Sequence, residues 1–179
     1  MSVQSILESV QSSAVAEWMR DTNPAMQVVE STHVLAAVLV LGTVLIADLR
    51  LLGITDSQRA FMRIGHETLP LTWVAFAVAV VTGSLMFTTS AQTYFGNVAF
   101  QLKGLALLAA GLNMLVFQLL TVRGMAEWDF GKPPRAARIA GVISLLLWVA
   151  VVLLGRWIGF TKGYDFAIPP GVELEFPVL

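Results

Sequence analysis

Four long apolar stretches constrain this chain more than any other feature. They cover residues 28–52, 69–87, 100–122 and 139–160. A helix needs about 20 predominantly apolar residues to cross the roughly 30 Å hydrocarbon core of a bilayer, and each stretch is near that length. Only 13% of the residues are charged, against about 25% in ordinary soluble domains. The sequence therefore predicts an all-α integral membrane protein, an up-down bundle of four transmembrane helices in a lipid bilayer.

The positively charged residues are divided unequally between the two ends of these predicted helices. One end, formed by the connections at 50–63 and 123–138, carries Arg50, Arg59, Arg63, Arg123, Lys132, Arg135 and Arg138. The other end has Arg20, Lys103, Arg156 and Lys162. Short loops rich in Lys and Arg stay in the cytoplasm. The sequence thus predicts a multi-pass protein of the bacterial inner membrane with both termini in the periplasm.

Two segments flank the four predicted spans. In residues 1–24, apolar side chains recur at helical spacing, which predicts an N-terminal amphipathic helix in the outer interface. This helix either caps the bundle or docks a partner. Residues 163–179 are rich in proline and acidic residues and predict an extended periplasmic tail. The whole chain, 1–179, is then a single membrane domain.

Charge and cysteine content exclude several function classes. The formal net charge is −1, and no cluster of basic residues is interleaved with aromatics, so nucleic acid is not an expected partner. The chain has no cysteine. Disulfides, cysteine-ligated iron–sulfur clusters, thiolate zinc sites and c-type haem attachment are therefore excluded.

Ionisable residues at membrane depth are the candidates for function, because each costs roughly 2.5 to 3.5 kcal/mol on insertion scales. Glu30 and His33 are three residues apart and share one helix face, and Asp48 returns to that face about five turns later. Together with Ala37 and Val44 they form a stripe that should face the bundle.

The same outer layer of the membrane should contain two cations. Lys103 lies about one turn inside the third span and Arg156 at a similar depth in the fourth. We expect Glu30 to lie within ion-pair reach of Lys103 or Arg156, because an unpaired buried charge costs more than a paired one. Glu30, His33, Lys103 and Arg156 are then either a cofactor, quinone or proton-handling site or an ion-pair network that clamps the helices.

A second polar group is expected at the opposite face of the membrane. His66 stands at the mouth of the second span, with Asp48, Arg50 and Gln118 at comparable depth. A histidine beside an interface is usually solvated, so we expect His66 to remain near cytoplasmic water. His33, in contrast, is expected to be buried and engaged.

A histidine on a transmembrane helix is a frequent axial ligand of haem, which makes His33 the candidate metal ligand. His33 and His66 are separated by about 20 Å along the membrane normal and cannot ligate one iron. A haem b at His33 would take Met86 or a residue of another subunit as its second axial ligand. Lys103 and Arg156 would then pair with the haem propionates.

The chain resembles an uncharacterised family of small bacterial four-span membrane proteins, itself a domain of unknown function. The resemblance is carried by Glu30-Ser31-Thr32-His33, Asp48-Leu49-Arg50-Leu51-Leu52-Gly53, residues 97–103, Asn113, Trp128, residues 133–138, Ser144, Trp148 and Gly155-Arg156. The resemblance implies four spans and says little about activity. The family pattern often has a histidine where this chain has Gln118, which weakens an inner haem site between position 118 and His66.

These observations favour a non-catalytic integral membrane subunit that binds b-type haem or quinone for electron transfer. One alternative is a structural or assembly subunit of a larger membrane complex without a cofactor. Another is a small oligomeric transporter or channel in which the stripe from Glu30 to Asp48 lines a polar path. We expect the protein to be a homo-oligomer or a subunit of a larger membrane complex. A Soret band in the purified protein would separate the haem hypothesis from the others.

Overall fold

Seven helices make up the part of the chain that the computed structural model describes, residues 2–22, 24–55, 61–121, 129 and 131–161, and no strand occurs there. They are α1 (Val3–Gln11), α2 (Ala14–Asp21), α3 (Ala25–Leu52), α4 (Phe61–Thr89), α5 (Ala91–Gly96), α6 (Val98–Val116) and α7 (Arg135–Thr161). Four of them, α3, α4, α6 and α7, are long and apolar enough to span a membrane. The predicted all-α membrane bundle is confirmed. The predicted tail at 163–179 lies outside the described residues, as do Arg59, Arg123 and Lys162.

The spanning helices extend beyond the apolar stretches that predict them. The second apolar stretch begins at residue 69, but α4 begins at Phe61, and α7 begins at Arg135 rather than 139. Hydropathy marks only the part of a helix inside hydrocarbon, whereas backbone hydrogen bonds continue into the polar interface. At its other end, α6 continues into a π-helical turn, Phe117–Thr121.

Residues 1–24 were expected to form one amphipathic helix, and the structure has two. The first helix ends at Gln11, and the Ser13 hydroxyl accepts a hydrogen bond from the Ala16 amide at the start of α2. Serine side chains compete with the helix backbone for hydrogen bonds, which explains the break. Both helices pack on the end of α4, where Arg20 Nη1 donates to the Thr89 carbonyl at 3.2 Å.

The four spanning helices form a ring that is open on one side. Helix α3 packs against α4 and α7, and α7 packs against α6. Within the described residues, the backbones of α4 and α6 do not pack together. Aromatic pairs bridge them near the two ends, Phe87 with Phe100 at a centroid distance of 5.6 Å and Phe61 with Phe117 at 5.9 Å. The contact between α4 and α6 is therefore made by side chains and not by close approach of the two backbones.

We name the two ends of the ring by what lies there. The capped end carries α1, α2 and α5, and the arginine-loop end carries Arg50 and the start of α7. Helices α3 and α7 approach closely near the arginine-loop end, since a Cβ placed on Gly141 would lie 3.0 Å from Leu51 Cβ. Small residues allow such close approach, which holds membrane helices together by van der Waals packing.

Candidate functional site

His33 lies on α3 near the capped end and contacts α4. Its Nδ1 lies 3.0 Å from the Ala79 carbonyl oxygen and 3.0 Å from Thr82 Oγ1. A carbonyl oxygen can only accept, so Nδ1 must carry the imidazole proton. In the neutral imidazole Nε2 is then the unprotonated nitrogen, and it has no hydrogen-bond partner among the described residues. The ring is thus held in one tautomer with one nitrogen available as a ligand or proton acceptor.

Lys103 is the cation next to His33. It comes from α6, is half-buried, and is close enough to interact electrostatically with the imidazole. Two glycines make room for this pair. A Cβ on Gly83 would lie 3.1 Å from His33 Cε1, and a Cβ on Gly155 would lie 3.4 Å from Lys103 Nζ. The Lys103 amine therefore lies within electrostatic range of the His33 imidazole.

The predicted four-residue layer is only half formed. Glu30 is exposed and makes no ion pair within the described residues, so the expected pairing with Lys103 or Arg156 is wrong. Arg156 is also exposed, and its guanidinium lies 4.5 Å from the Phe160 ring centroid. Both residues lie near helix ends, where their side chains reach the polar interface at lower cost than an ion pair inside the ring.

At the arginine-loop end the stripe of α3 does turn inward. Asp48 is buried, 4% exposed, and the Ser144 hydroxyl of α7 is within hydrogen-bonding reach of its carboxyl group. Its Oδ2 atom has no hydrogen-bond partner among the described residues. Of the predicted stripe, Asp48 therefore faces the bundle, whereas Glu30 does not.

Arg50 connects the spanning helices to the loop before α7. It is 0% exposed, and Nη2 donates to the Asp129 carbonyl at 2.9 Å and to the Gly131 carbonyl at 3.3 Å. From the sequence we placed Arg50 at the interface as a topological charge. In the structure Arg50 also binds the connection before α7 to the end of α3 through these hydrogen bonds.

The remaining predicted polar residues are separate from these two groups. His66 and Gln118 are exposed, as expected for His66. Met86 is half-buried on α4, one turn beyond Thr82. Asn113 Nδ2 donates to the Ala140 carbonyl at 3.0 Å and so links α6 to α7.

Several functional neighbours were missed from the sequence. Thr82 and Ala79 position His33, and Thr72 Oγ1 donates to Thr43 Oγ1 at 2.8 Å between α4 and α3. A signal existed, because Thr68, Thr72, Ala75, Ala79 and Thr82 recur on α4 at alternating steps of three and four residues. This spacing is typical of a helix face that packs against another helix.

A multi-ligand metal centre finds no support in the part of the chain that the structure describes. No group of three or more His, Cys, Asp or Glu side chains comes together there.

Comparison with known families found a match over most of the chain. The sequence model of a family of unknown function, DUF6644, matches residues 24–161. The chain belongs to this family. The match includes the four spanning helices and both polar groups, and it leaves out α1 and α2. Neither the curated proteins nor the solved structures contain a match to the chain.

Proposed function

We propose that this DUF6644 member is a non-catalytic membrane subunit that binds a b-type haem through His33 for electron transfer. The observation that carries the proposal is the hydrogen bond from His33 Nδ1 to the Ala79 carbonyl. Metal-ligating histidines almost always donate their other ring N–H to a carbonyl, a carboxylate or a water, which fixes the tautomer and raises the basicity of the ligating nitrogen. His33 has this arrangement.

The surroundings of His33 suit a large, flat, anionic group. Lys103 supplies a positive charge for a propionate, and Gly83 removes the side chain that would press on the imidazole. The backbones of α4 and α6 do not pack together within the described residues, which favours access for a ligand between these two helices. Met86, one turn beyond Thr82, is the candidate for a second axial ligand, with a residue of a partner subunit as the alternative. When bound, the haem would supply the one-electron redox step.

Absorption spectroscopy tests the proposal directly. The full chain, purified in detergent and mixed with one equivalent of haemin, should give a shifted Soret band, and dithionite reduction should sharpen the α and β bands. His33→Ala should lose this spectrum because the ligating nitrogen is gone. His66→Ala is the matched control and should keep it.

The opposite results have defined meanings. Equal spectra for both histidine variants would refute His33 as the ligand. If the folded protein binds no haem, the structural or assembly subunit becomes the better hypothesis. An ion flux that depends on the protein in liposomes, without a Soret band, would favour the small transporter or channel.

We also propose that the protein lies in the bacterial inner membrane with the arginine-loop end in the cytoplasm. The support is the excess of Lys and Arg in the two loops at that end. Because the chain has no cysteine, single-cysteine labelling is clean. Thr93→Cys should react with an impermeant thiol reagent added to spheroplasts, and Lys132→Cys should react only after lysis. Reversed labelling would refute this orientation.

An electron-transfer subunit needs a donor and an acceptor. We therefore propose that the protein works as a homo-oligomer or within a larger membrane complex. Light scattering of the detergent-solubilised protein measures its mass without a shape assumption. A strictly monomeric protein that also co-purifies with no other subunit from its native membrane would contradict this.

A further inference from the structure

The molecule has a second buried polar site, at the arginine-loop end of α3 and away from His33. It consists of Asp48 on α3 and Ser144 on α7. Asp48 is 4% exposed, and its Oδ2 has no hydrogen-bond partner among the described residues. At ~1.5 Å per residue, Asp48 lies roughly 22 Å along the helix axis from His33. The two sites are therefore independent.

No cation neutralises Asp48 within the described residues. Among the described residues, the charged or titratable side chains at this end are Arg50 on α3, Arg63, His66 and Glu67 on α4, Asp129 and Lys132 in the connection, and Arg135 and Arg138 on α7. None of them forms an ion pair with Asp48. Arg50 Nη2 donates to the carbonyls of Asp129 and Gly131. The charged or titratable side chains on α4 and α7 are exposed. Asp48 is thus buried without a counter-charge.

A buried carboxylate in this position is costly, because an ion taken out of water needs a partner or several hydrogen bonds. A carboxylic acid avoids most of that cost. A bound metal ion is a poor alternative, since hard cations take about six oxygen ligands and, of the side chains that the structure describes, the site offers only Asp48 and Ser144. The ligand that fits is a single proton.

We propose that Asp48 and Ser144 form a proton-binding site that exchanges with the arginine-loop end of the membrane. Asp48 holds the proton as a carboxylic acid on one oxygen, and the Ser144 hydroxyl donates to the other. Release returns the carboxylate and one free proton, with no other reactant. The path to water is short, because α3 ends at Gly53, roughly 7.5 Å further along the helix axis. Leu51, Phe61 and Ala137 form an apolar cluster at that end.

Infrared spectroscopy of the cofactor-free protein at pH 7 tests this site, so the outcome does not depend on haem binding. A protonated carboxyl group gives a C=O stretch above the amide I band. Exposed aspartates have a pKa near 4 and are carboxylates at pH 7, so they do not contribute a band in this region. We expect one such band, which shifts to lower frequency in protein labelled with 4-¹³C-aspartate and again after transfer to ²H₂O.

Variants assign the band. Asp48→Asn should abolish it, whereas Glu30→Gln, which changes an exposed carboxyl group on the same helix, should leave it unchanged. Ser144→Ala should raise its frequency because the hydrogen bond to the C=O group is lost, an effect that a merely structural role would not produce.

The isotope measurement needs no variant, so it decides the matter even if Asp48→Asn does not fold. No aspartate-derived band at pH 7 would refute the proposal. A band that persists in folded Asp48→Asn would refute the assignment to Asp48. A band that does not shift in ²H₂O would refute exchange with water.

Discussion

The two ends of α3 differ in how deeply they bury their polar side chains. At the capped end, His33 is half-buried and hydrogen-bonded to the backbone and a hydroxyl of α4, with one nitrogen left without a partner. At the arginine-loop end, Asp48 and Arg50 are 4% and 0% exposed. The capped end keeps its polar groups accessible, and the arginine-loop end seals them in.

Glycine placement explains this difference. Near the capped end, Gly83 and Gly155 make room for the His33 ring and the Lys103 amine. Near the other end, Gly141 lets α3 and α7 close on each other, so no comparable space remains around Asp48. Glycines therefore allow close packing in both regions, around the His33 and Lys103 side chains in one and between α3 and α7 in the other. Substitutions should affect stability more at the sealed end than at the open one.

The largest effect is expected for Arg50→Met. Removing a buried guanidinium leaves the loop carbonyls of Asp129 and Gly131 without their donor, which should cost about 3 kcal/mol of unfolding free energy. Reversible unfolding in mixed micelles measures this. Arg63→Met is the control, because Arg63 pairs with Glu67 on the exposed surface of α4 and should cost less than ~1 kcal/mol. Equal losses would contradict a sealed arginine-loop end.

Gly141→Ala should come second. Its new methyl group would lie 3.0 Å from Leu51 Cβ and 3.3 Å from the Asp48 carbonyl oxygen. Forcing α3 and α7 apart should destabilise the protein by about 2 kcal/mol. Gly111→Ala places its methyl group in open space and should change stability by less than ~0.5 kcal/mol. If both variants behave alike, the close approach does not hold the helices together.

His33→Ala tests the open end and should cost about 1 kcal/mol, the typical net value of a hydrogen bond that exchanges with other partners. His66→Ala should lie within ~0.5 kcal/mol of the parent protein, because that side chain is exposed. Thermal unfolding of the two cofactor-free variants gives the comparison. Identical melting temperatures would show that the α4 contacts of His33 do not stabilise the fold.

The smallest effect is expected midway between the ends, at the hydroxyl pair of Thr43 and Thr72. Double-mutant cycles put interhelical hydrogen bonds in membranes at about 0.6 kcal/mol on average. Thr72→Val and Thr43→Val should therefore show a coupling energy near that value. Thr88→Val is the control, since its hydroxyl donates to the Leu85 carbonyl of its own helix. A coupling of zero would mean that the two threonines act separately.

Several features of the site follow from the sequence alone. Periodicity and depth along each helix predicted a buried His33 and an exposed His66. His66 is exposed, whereas His33 is only half-buried, in contact with α4. The same reasoning failed for Glu30 and Arg156, which were expected to pair and are both exposed. A side chain near a helix end can turn to the interface or to the ring, and helix geometry alone does not decide which.

The sequence by itself determined the four spanning helices, because about 20 apolar residues have only one low-energy arrangement in a bilayer. It also determined which end of the helices carries the loop arginines. Three interactions were decided by tertiary structure alone. Lys103 lies within electrostatic range of His33, Ser144 lies within hydrogen-bonding reach of Asp48, and Arg50 donates to the loop carbonyls. Each of these contacts joins segments far apart in the chain. They depend on how helices rotate and approach one another, and small residues at the helix contacts set that approach.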